Sequence, residues 1–199
     1  TALGIEWFNR RSRVFGDPVS WERPYSITGA FRSRSGILWT GMEDDGINRI
    51  FDNPYRRKFY STRQAGLGGS ACSIFEDRRG LVWMLINGTG LCQFDPRTEQ
   101  FKNLGIGQTQ SSVSARSIVE DSIDNTAKGW VLWIGTNDGL WRYDARVDAF
   151  TRFGHDPKDR ASLSSNTVTT VFQDSHGTLW IGTDQGLNRM DSTTRGFIS

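Results

Sequence analysis

Cysteine, histidine, methionine and proline are scarce in this 199-residue chain, with two, two, three and five copies. The two cysteines cannot make a structural zinc site without histidines, and His155 and His176 are too few and too scattered to complete one. Of the 24 basic residues, Lys58, Lys102, Lys128 and Lys158 are the only lysines. With 22 acidic residues the net charge is +2, too balanced for a general binder of the nucleic-acid backbone, which carries a basic stripe. The basic clusters Arg10-Arg11-Ser12-Arg13 and Arg56-Arg57-Lys58 fall between aromatic segments and read as solvated loops. No apolar run approaches the roughly 18 residues of a membrane-spanning helix. The chain opens at Thr1 without an initiator Met, a basic n-region or an apolar h-region, as expected of a piece whose targeting segment is missing. No Gly-x-Ser-x-Gly elbow occurs. Gly66-Leu67-Gly68-Gly69 and Gly105-Ile106-Gly107 join strand to strand instead of opening a helix, so they make no phosphate cradle. No cofactor is expected.

Glycine and aromatics are plentiful instead, with 22 Gly, 8 Trp and 12 Phe, the materials of short-stranded β architectures. They are arranged in a repeat. Gly36-Ile-Leu-Trp39-Thr-Gly41 returns as Gly80-Leu-Val-Trp83, as Trp130-Val-Leu-Trp133-Ile-Gly135 and as Gly177-Thr-Leu-Trp180-Ile-Gly182. The tryptophans Trp39, Trp83, Trp133 and Trp180 are spaced by 44, 50 and 47 residues. A Gly with an aliphatic partner follows each: Gly46-Ile47, Gly90-Leu91, Gly139-Leu140 and Gly186-Leu187. Upstream lie apolar segments ending in acids, of which Ile74-Phe75-Glu76-Asp77, Ile118-Val119-Glu120-Asp121 and Val171-Phe172-Gln173-Asp174 are the clearest. In the first unit Ser33 stands in the Asp slot.

Four strand-like runs in a period of about 47 residues are the pattern of a β-propeller blade. Helical repeats of that length need a 3.6-residue periodicity, which none of these runs shows. The expected fold is all-β, a propeller segment of four-stranded antiparallel blades. Its units are a half blade at 1–16 and blades at 17–62, 63–104, 105–154 and 155–199. In the first full blade the strands are expected near 25–33, 37–42, 47–51 and 58–61. A half blade leaves an unpaired edge, so the piece is expected to belong to a larger propeller, to pair with another chain, or to close on its last blade.

Each motif has a mechanical reason. Asp77 to Gly80 and Asp174 to Gly177 fit a tight turn between first and second strands, the carboxylate accepting backbone N–H groups. Asn137-Asp138-Gly139 and Asp184-Gln185-Gly186 have hairpin chemistry. The repeated Trp suits the apolar seam between blades. Blade three carries six extra residues around Ser122–Lys128, a polar rim loop. Glu76-Asp77 and Glu120-Asp121 recur at equivalent positions, which favours a turn role over acid–base chemistry. The spacing Asp-x-x-Gly-x-x-Trp also differs from the sialidase Asp-box. Cys72 and Cys92 fall in the first and third strands of one blade. Strands two apart lie roughly 9–10 Å from each other, beyond the roughly 7 Å a disulfide spans, so two unpaired, buried thiols are expected.

Asp174-Ser-His-Gly177-Thr-Leu-Trp180-Ile-Gly182-Thr183-Asp184-Gln-Gly186-Leu187-Asn-Arg189 resembles the two-component regulator propeller repeat, as does Asp144 through Phe153. His155-Asp156-Pro157 and Ser162-Leu163-Ser164-Ser165-Asn166-Thr167-Val168 resemble that family's link between blades. The copies together cover essentially the whole chain. Blade one, with Ser33, and blade two, with Leu85-Ile86 in place of Gly-Thr, depart from the pattern. The resemblance implies the periplasmic or other extracytoplasmic sensor portion of a membrane-bound bacterial regulator. It further implies a small-molecule or carbohydrate ligand and a downstream histidine kinase or diguanylate cyclase domain. No catalytic residue is expected in the segment itself. Two alternatives stand beside this reading. One is a lyase similar to the virginiamycin B lyase type, whose blades also carry Gly-x-x-Trp runs. The other is a passive scaffold for protein partners. Ligand-contacting candidates are residues that break their own repeat: Arg116, where the other blades have Thr28, Cys72 and Thr169, and Trp141, where they have Asn48, Cys92 and Asn188. The bland reading for both is structural.

Overall fold

The computed structural model describes residues 8–9, 14–15, 26–43, 45–51, 56–106, 113–121, 130–191 and 196–199. The basic cluster at 10–13, the polar loop at 122–128 and most of the half blade at 1–16 lie outside the described residues. Of the half blade, β1 (Phe8–Asn9) and β2 (Val14–Phe15) form an antiparallel pair. Four further sheets of four antiparallel strands follow. Blade one is β3 (Ile27–Arg32), β4 (Leu38–Met42), β5 (Ile47–Ile50) and β6 (Arg57–Tyr60). Blade two is β7 (Ala71–Glu76), β8 (Val82–Ile86), β9 (Gly90–Asp95) and β10 (Gln100–Gly105). Blade three is β11 (Ala115–Glu120), β12 (Val131–Thr136), β13 (Gly139–Asp144) and β14 (Ala149–Phe153). Blade four is β15 (Val168–Gln173), β16 (Leu179–Thr183), β17 (Gly186–Met190) and β18 (Phe197–Ile198). Each blade is a meander in chain order. Among the described residues the one helical element is a 3₁₀ turn at Arg63–Ala65. The all-β propeller expected from the repeat is the architecture found.

The blades meet along their first strands. β3 contacts β7, β7 contacts β11, and β11 contacts β15, so these strands are the inner wall. Strand alternation gives every blade two apolar faces, one toward each neighbour. Trp39 and Ile47 of blade one pack on Met84, Ile86 and Phe94 of blade two. Trp83, Leu85 and Leu91 meet Leu132, Ile134 and Tyr143 of blade three. Trp133 and Leu140 meet Val171, Leu179 and Ile181 of blade four. Trp39, Trp83 and Trp133 are 0%, 1% and 5% exposed, and burying side chains of this size is worth roughly 2–3 kcal/mol each.

Blade four departs from this rule on its far face. Phe172, Trp180, Arg189 and Ile198 lie in one row across the sheet, with Leu187 in the next. Phe172 is 59% and Leu187 57% exposed, although Ile47, Leu91 and Leu140, at the position of Leu187, are all 0% exposed. Trp180 is half-buried for the same reason: nothing described covers this face.

The seams are tight enough to demand glycine. A Cβ on Gly41 would lie 2.1 Å from the Ala71 carbonyl oxygen of the next blade. The repeated Gly46 and Gly139, at φ 78° and 98°, bring β5 and β13 against the ends of β6 and β14, where a Cβ would meet the Tyr60 and Phe153 carbonyls at 2.3 and 2.4 Å.

Candidate functional site

The repeated acids are occupied by their own turns. Asp77 Oδ1 accepts from the Arg79 and Leu81 backbone N–H groups (2.8 and 3.1 Å), and its Oδ2 accepts from the Trp83 indole (2.9 Å). Asp174 does the same for His176, Thr178 and Trp180, and the indole N–H holds its carboxyl below the usual carboxylate range. Asp121 still reaches the Trp133 indole at 2.9 Å, across the six extra residues. The Asp-to-Trp bond binds turn to seam and is the reason the two residues recur together. Ser33 is too short for it. Its hydroxyl accepts only from the Ile37 N–H among these groups, and the Trp39 indole donates instead to Glu76 of blade two at 2.6 Å.

At the opposite end of the first strands the links between blades meet the hairpins that join second to third strands. Here Glu43, Asn87, Asn137 and Asp184 donate their backbone N–H groups to the carbonyls of Ser26, Ser70, Ser114 and Thr167. One face of the molecule therefore carries a repeated collar of hydroxyl and amide side chains, interrupted by the exposed carboxylates of Glu43 and Asp184. Just below the collar every first strand is bulged, its register with the second strand shifting between 27 and 29, 71 and 73, 115 and 117, and 168 and 170. The extra residue of a bulge is freed from the ladder and its side chain re-aimed. Those residues are Thr28, Cys72, Arg116 and Thr169.

Arg116 is thus an exposed residue on the inner wall, at the mouth. Trp141 is not beside it. It packs half-buried in the seam between blades two and three, edge-on to Phe150 at 6.3 Å, and its indole nitrogen has no partner among the described residues. The structure therefore separates the two candidates, placing one at the mouth and the other in the core. Bulges shift register without leaving a composition signal, so the inner-wall position of Arg116 had no direct sequence cue.

Cys72 and Cys92 are both free, on strands separated by β8. Cys92 is fully buried and its thiol is pushed up to about 12. Cys72 is only half-buried, because it occupies a bulge; its thiol is also raised by burial. His155 Nδ1 lies 2.6 Å from the Leu163 carbonyl and clamps the link between blades three and four, while His176 sits exposed in the Asp174 turn. A shallow cleft of about 470 Å³ opens beside that link, lined by His155, Asp159, Arg160, Phe197 and Ile198 among others. Among the described residues no three His, Cys, Asp or Glu side chains are placed to hold a metal ion.

Residues 162–185 match the family model of the two component regulator propeller. This segment is similar to a two component regulator propeller repeat. It runs from the link at Ser162 through β15 and β16 of blade four, and the other blades repeat its geometry. No curated protein matches the chain. Among solved structures, the extracellular domain of BT4673 from B. thetaiotaomicron, assigned as a hybrid two component system, superimposes with a TM-score of 0.75 at 23% identity, over 95% of this chain and 25% of that one. A catalytically inactive virginiamycin B lyase from Staphylococcus aureus, solved with quinupristin, gives 0.72 at 15% identity, over 99% of this chain and 62% of that one. YCF48 bound to D1 peptide gives 0.61 at 16%, over 92% and 56%. At these identities the likeness is one of fold. The chain spans a quarter of the length of the BT4673 structure. No helix among its described residues is long and apolar enough to cross a membrane.

Proposed function

We propose that this chain is part of the ligand-sensing propeller of a membrane-bound bacterial signal-transduction regulator, lying on the extracytoplasmic, periplasmic side of the membrane. The match of residues 162–185 to the two component regulator propeller carries the reading, and the shared fold with the extracellular domain of BT4673 supports it. The ligand is a small molecule or carbohydrate, the partners are the rest of the propeller and a downstream signalling domain, and the segment performs no chemistry of its own. The collar of hydroxyl, amide, carboxylate and guanidinium groups at the inner ends of the blades suits reversible binding. The turn acids, by contrast, are consumed by Trp and backbone donors.

A thermal-shift screen against small sugars and organic acids tests the reading. A specific ligand at 100 times its Kd adds roughly 2.7 kcal/mol to stability. If no compound in a broad panel moves the midpoint, the sensing role fails. The fold shared with virginiamycin B lyase stands behind a second reading, a lyase that acts on quinupristin. Incubation with quinupristin followed by liquid chromatography and fragmentation mass spectrometry decides it: quinupristin is expected to remain unchanged, and a new product, including an isomer of equal mass, would establish the lyase.

A further inference from the structure

We propose that the channel mouth between blades two and three is an anion site, in which Arg116 holds a carboxylate or sulfate group of the ligand. The proposal rests on the sensing reading and adds to it the chemical class of the ligand.

The four bulge residues occupy one repeated position, and two of them do one job. The Thr28 hydroxyl donates to the Ala71 carbonyl of the next blade (2.7 Å), and the Cys72 thiol donates to the Ala115 carbonyl of the next (3.1 Å). They stitch one inner strand to the following one. Thr169, which has no described blade beyond it, donates to Gly182 of its own blade (3.1 Å). Arg116 makes no such bond, and among the described residues it has no hydrogen-bond or ion-pair partner. The stitch it would have made is supplied by its neighbour. The Ser117 hydroxyl accepts from the Val171 N–H of blade four at 3.0 Å and donates to the Val171 carbonyl at 3.3 Å. Position 116 is thereby released from structural duty and filled by a cation.

The collar has two exposed carboxylates, Glu43 and Asp184, and among the described residues neither they nor any other acid forms an ion pair with Arg116. The Arg116 peptide unit begins at the carbonyl that receives Cys72, so the side chain leaves the wall where blades two and three join. The Arg116 charge acts on the Cys72 thiol of blade two; that thiol lies 3.6 Å from Asn87 Oδ1, which is 3.5 Å from the Ser114 hydroxyl. The blade-two turn here, Asn87-Gly88-Thr89, carries no acid. Asp138, in the hairpin of blade three that follows the partner strand of Ala115, is clamped by Arg152 at 2.7 and 3.1 Å. Asp45, on the blade-one hairpin, accepts from Ser61, Thr62 and the Arg63 N–H. A guanidinium left without a carboxylate, on a wall with hydroxyl and amide neighbours, presents paired donors that match two oxygens of a carboxylate or sulfate.

The test reads the Arg116 Nε–H resonance of the whole chain in ¹⁵N-correlated NMR spectra, with exposed Arg97 and Arg160 as internal controls. Sodium sulfate, against sodium chloride at matched ionic strength, is expected to shift Arg116 saturably and the controls hardly at all. Galacturonate, against galactose, then separates a carboxylate from a sulfate preference, since the two sugars differ at one carbon. Arg116→Thr restores the residue of the other blades; it is expected to melt no lower than the parent and to weaken anion binding at least tenfold. Arg116→Lys is expected to retain part of the binding. A shift at Arg116 no larger than at Arg97 and Arg160 overturns the proposal. A panel ligand that binds Arg116→Thr as tightly as the parent overturns the site while leaving the sensing role intact. Saturable sulfate binding with no panel ligand at all would leave the anion site standing and remove the sensing role.

Discussion

At the scale of single residues, the carboxylates of the turns are the sensitive points. Asp77 satisfies two backbone N–H groups, a buried indole and the Arg79 guanidinium at once. Asp77→Ala leaves those donors without acceptors, and an expected loss of about 2–3 kcal/mol follows from stranding buried donors. Urea unfolding checks it, and Ser33 marks what a weaker substitute does: its turn survives only with Trp39 bonded elsewhere. A second prediction concerns acid. Asp144 is 7% exposed and bonded to Arg146 and Arg142, which together hold its carboxyl far below the usual range. Its folded pKa therefore lies below the unfolded value of about 3.9. The stability it contributes is fully present above about pH 4 and is lost as pH falls toward the folded pKa. The urea midpoint of the parent should drop steeply below about pH 4, and Asp144→Asn should be less stable at neutral pH with a shallower acid limb. Parallel acid limbs would show that another group dominates.

At the scale of elements, the strands and seams were legible and the bulges were not. The Trp repeat, its flanking Gly and the Asp turn each follow from local chemistry that a sequence displays. The strand bounds of blade one fall within two residues of those expected. Two features escaped, one because it depends on the neighbouring blade and the other because it is a shift of register within a blade. The indole of Trp39 crosses to Glu76, and residues 28, 72, 116 and 169 sit at register shifts that alternation cannot reveal. Trp141 shows a different limit of the repeat. It breaks its repeat as visibly as Arg116 does, yet the structure puts it in a seam, because a large side chain facing a neighbouring blade is core whatever its repeat partners are. The seams also give a test by glycine. Gly41→Ala drives a methyl into the Ala71 carbonyl, and a loss of about 1–3 kcal/mol is expected from overpacking. Gly80, at φ 81° with open space around it, should cost only about 1 kcal/mol of backbone strain on the same change. Thermal melts of the two variants should rank in that order; the reverse order would mean that the seam yields easily.

At the scale of the molecule, the four blades are not energetically equal. Leu140 and Leu187 occupy the same repeat position, one sealed in a seam and the other 57% exposed. Leu140→Ala should cost about 2–4 kcal/mol and Leu187→Ala no more than about 0.5 kcal/mol. Equal losses would mean that the far face of blade four is covered in solution. The extensive contacts join consecutive blades, so the chain behaves as a short one-dimensional array, each unit held by its own stability and its adjacent interfaces. In such an array an end unit opens at lower free energy than an interior one. Amide hydrogen exchange should accordingly be graded along the sequence. The β16 and β17 amides should lose protection first, while those of β8 and β12, in blades flanked on both sides, should exchange last, near the limit set by global unfolding.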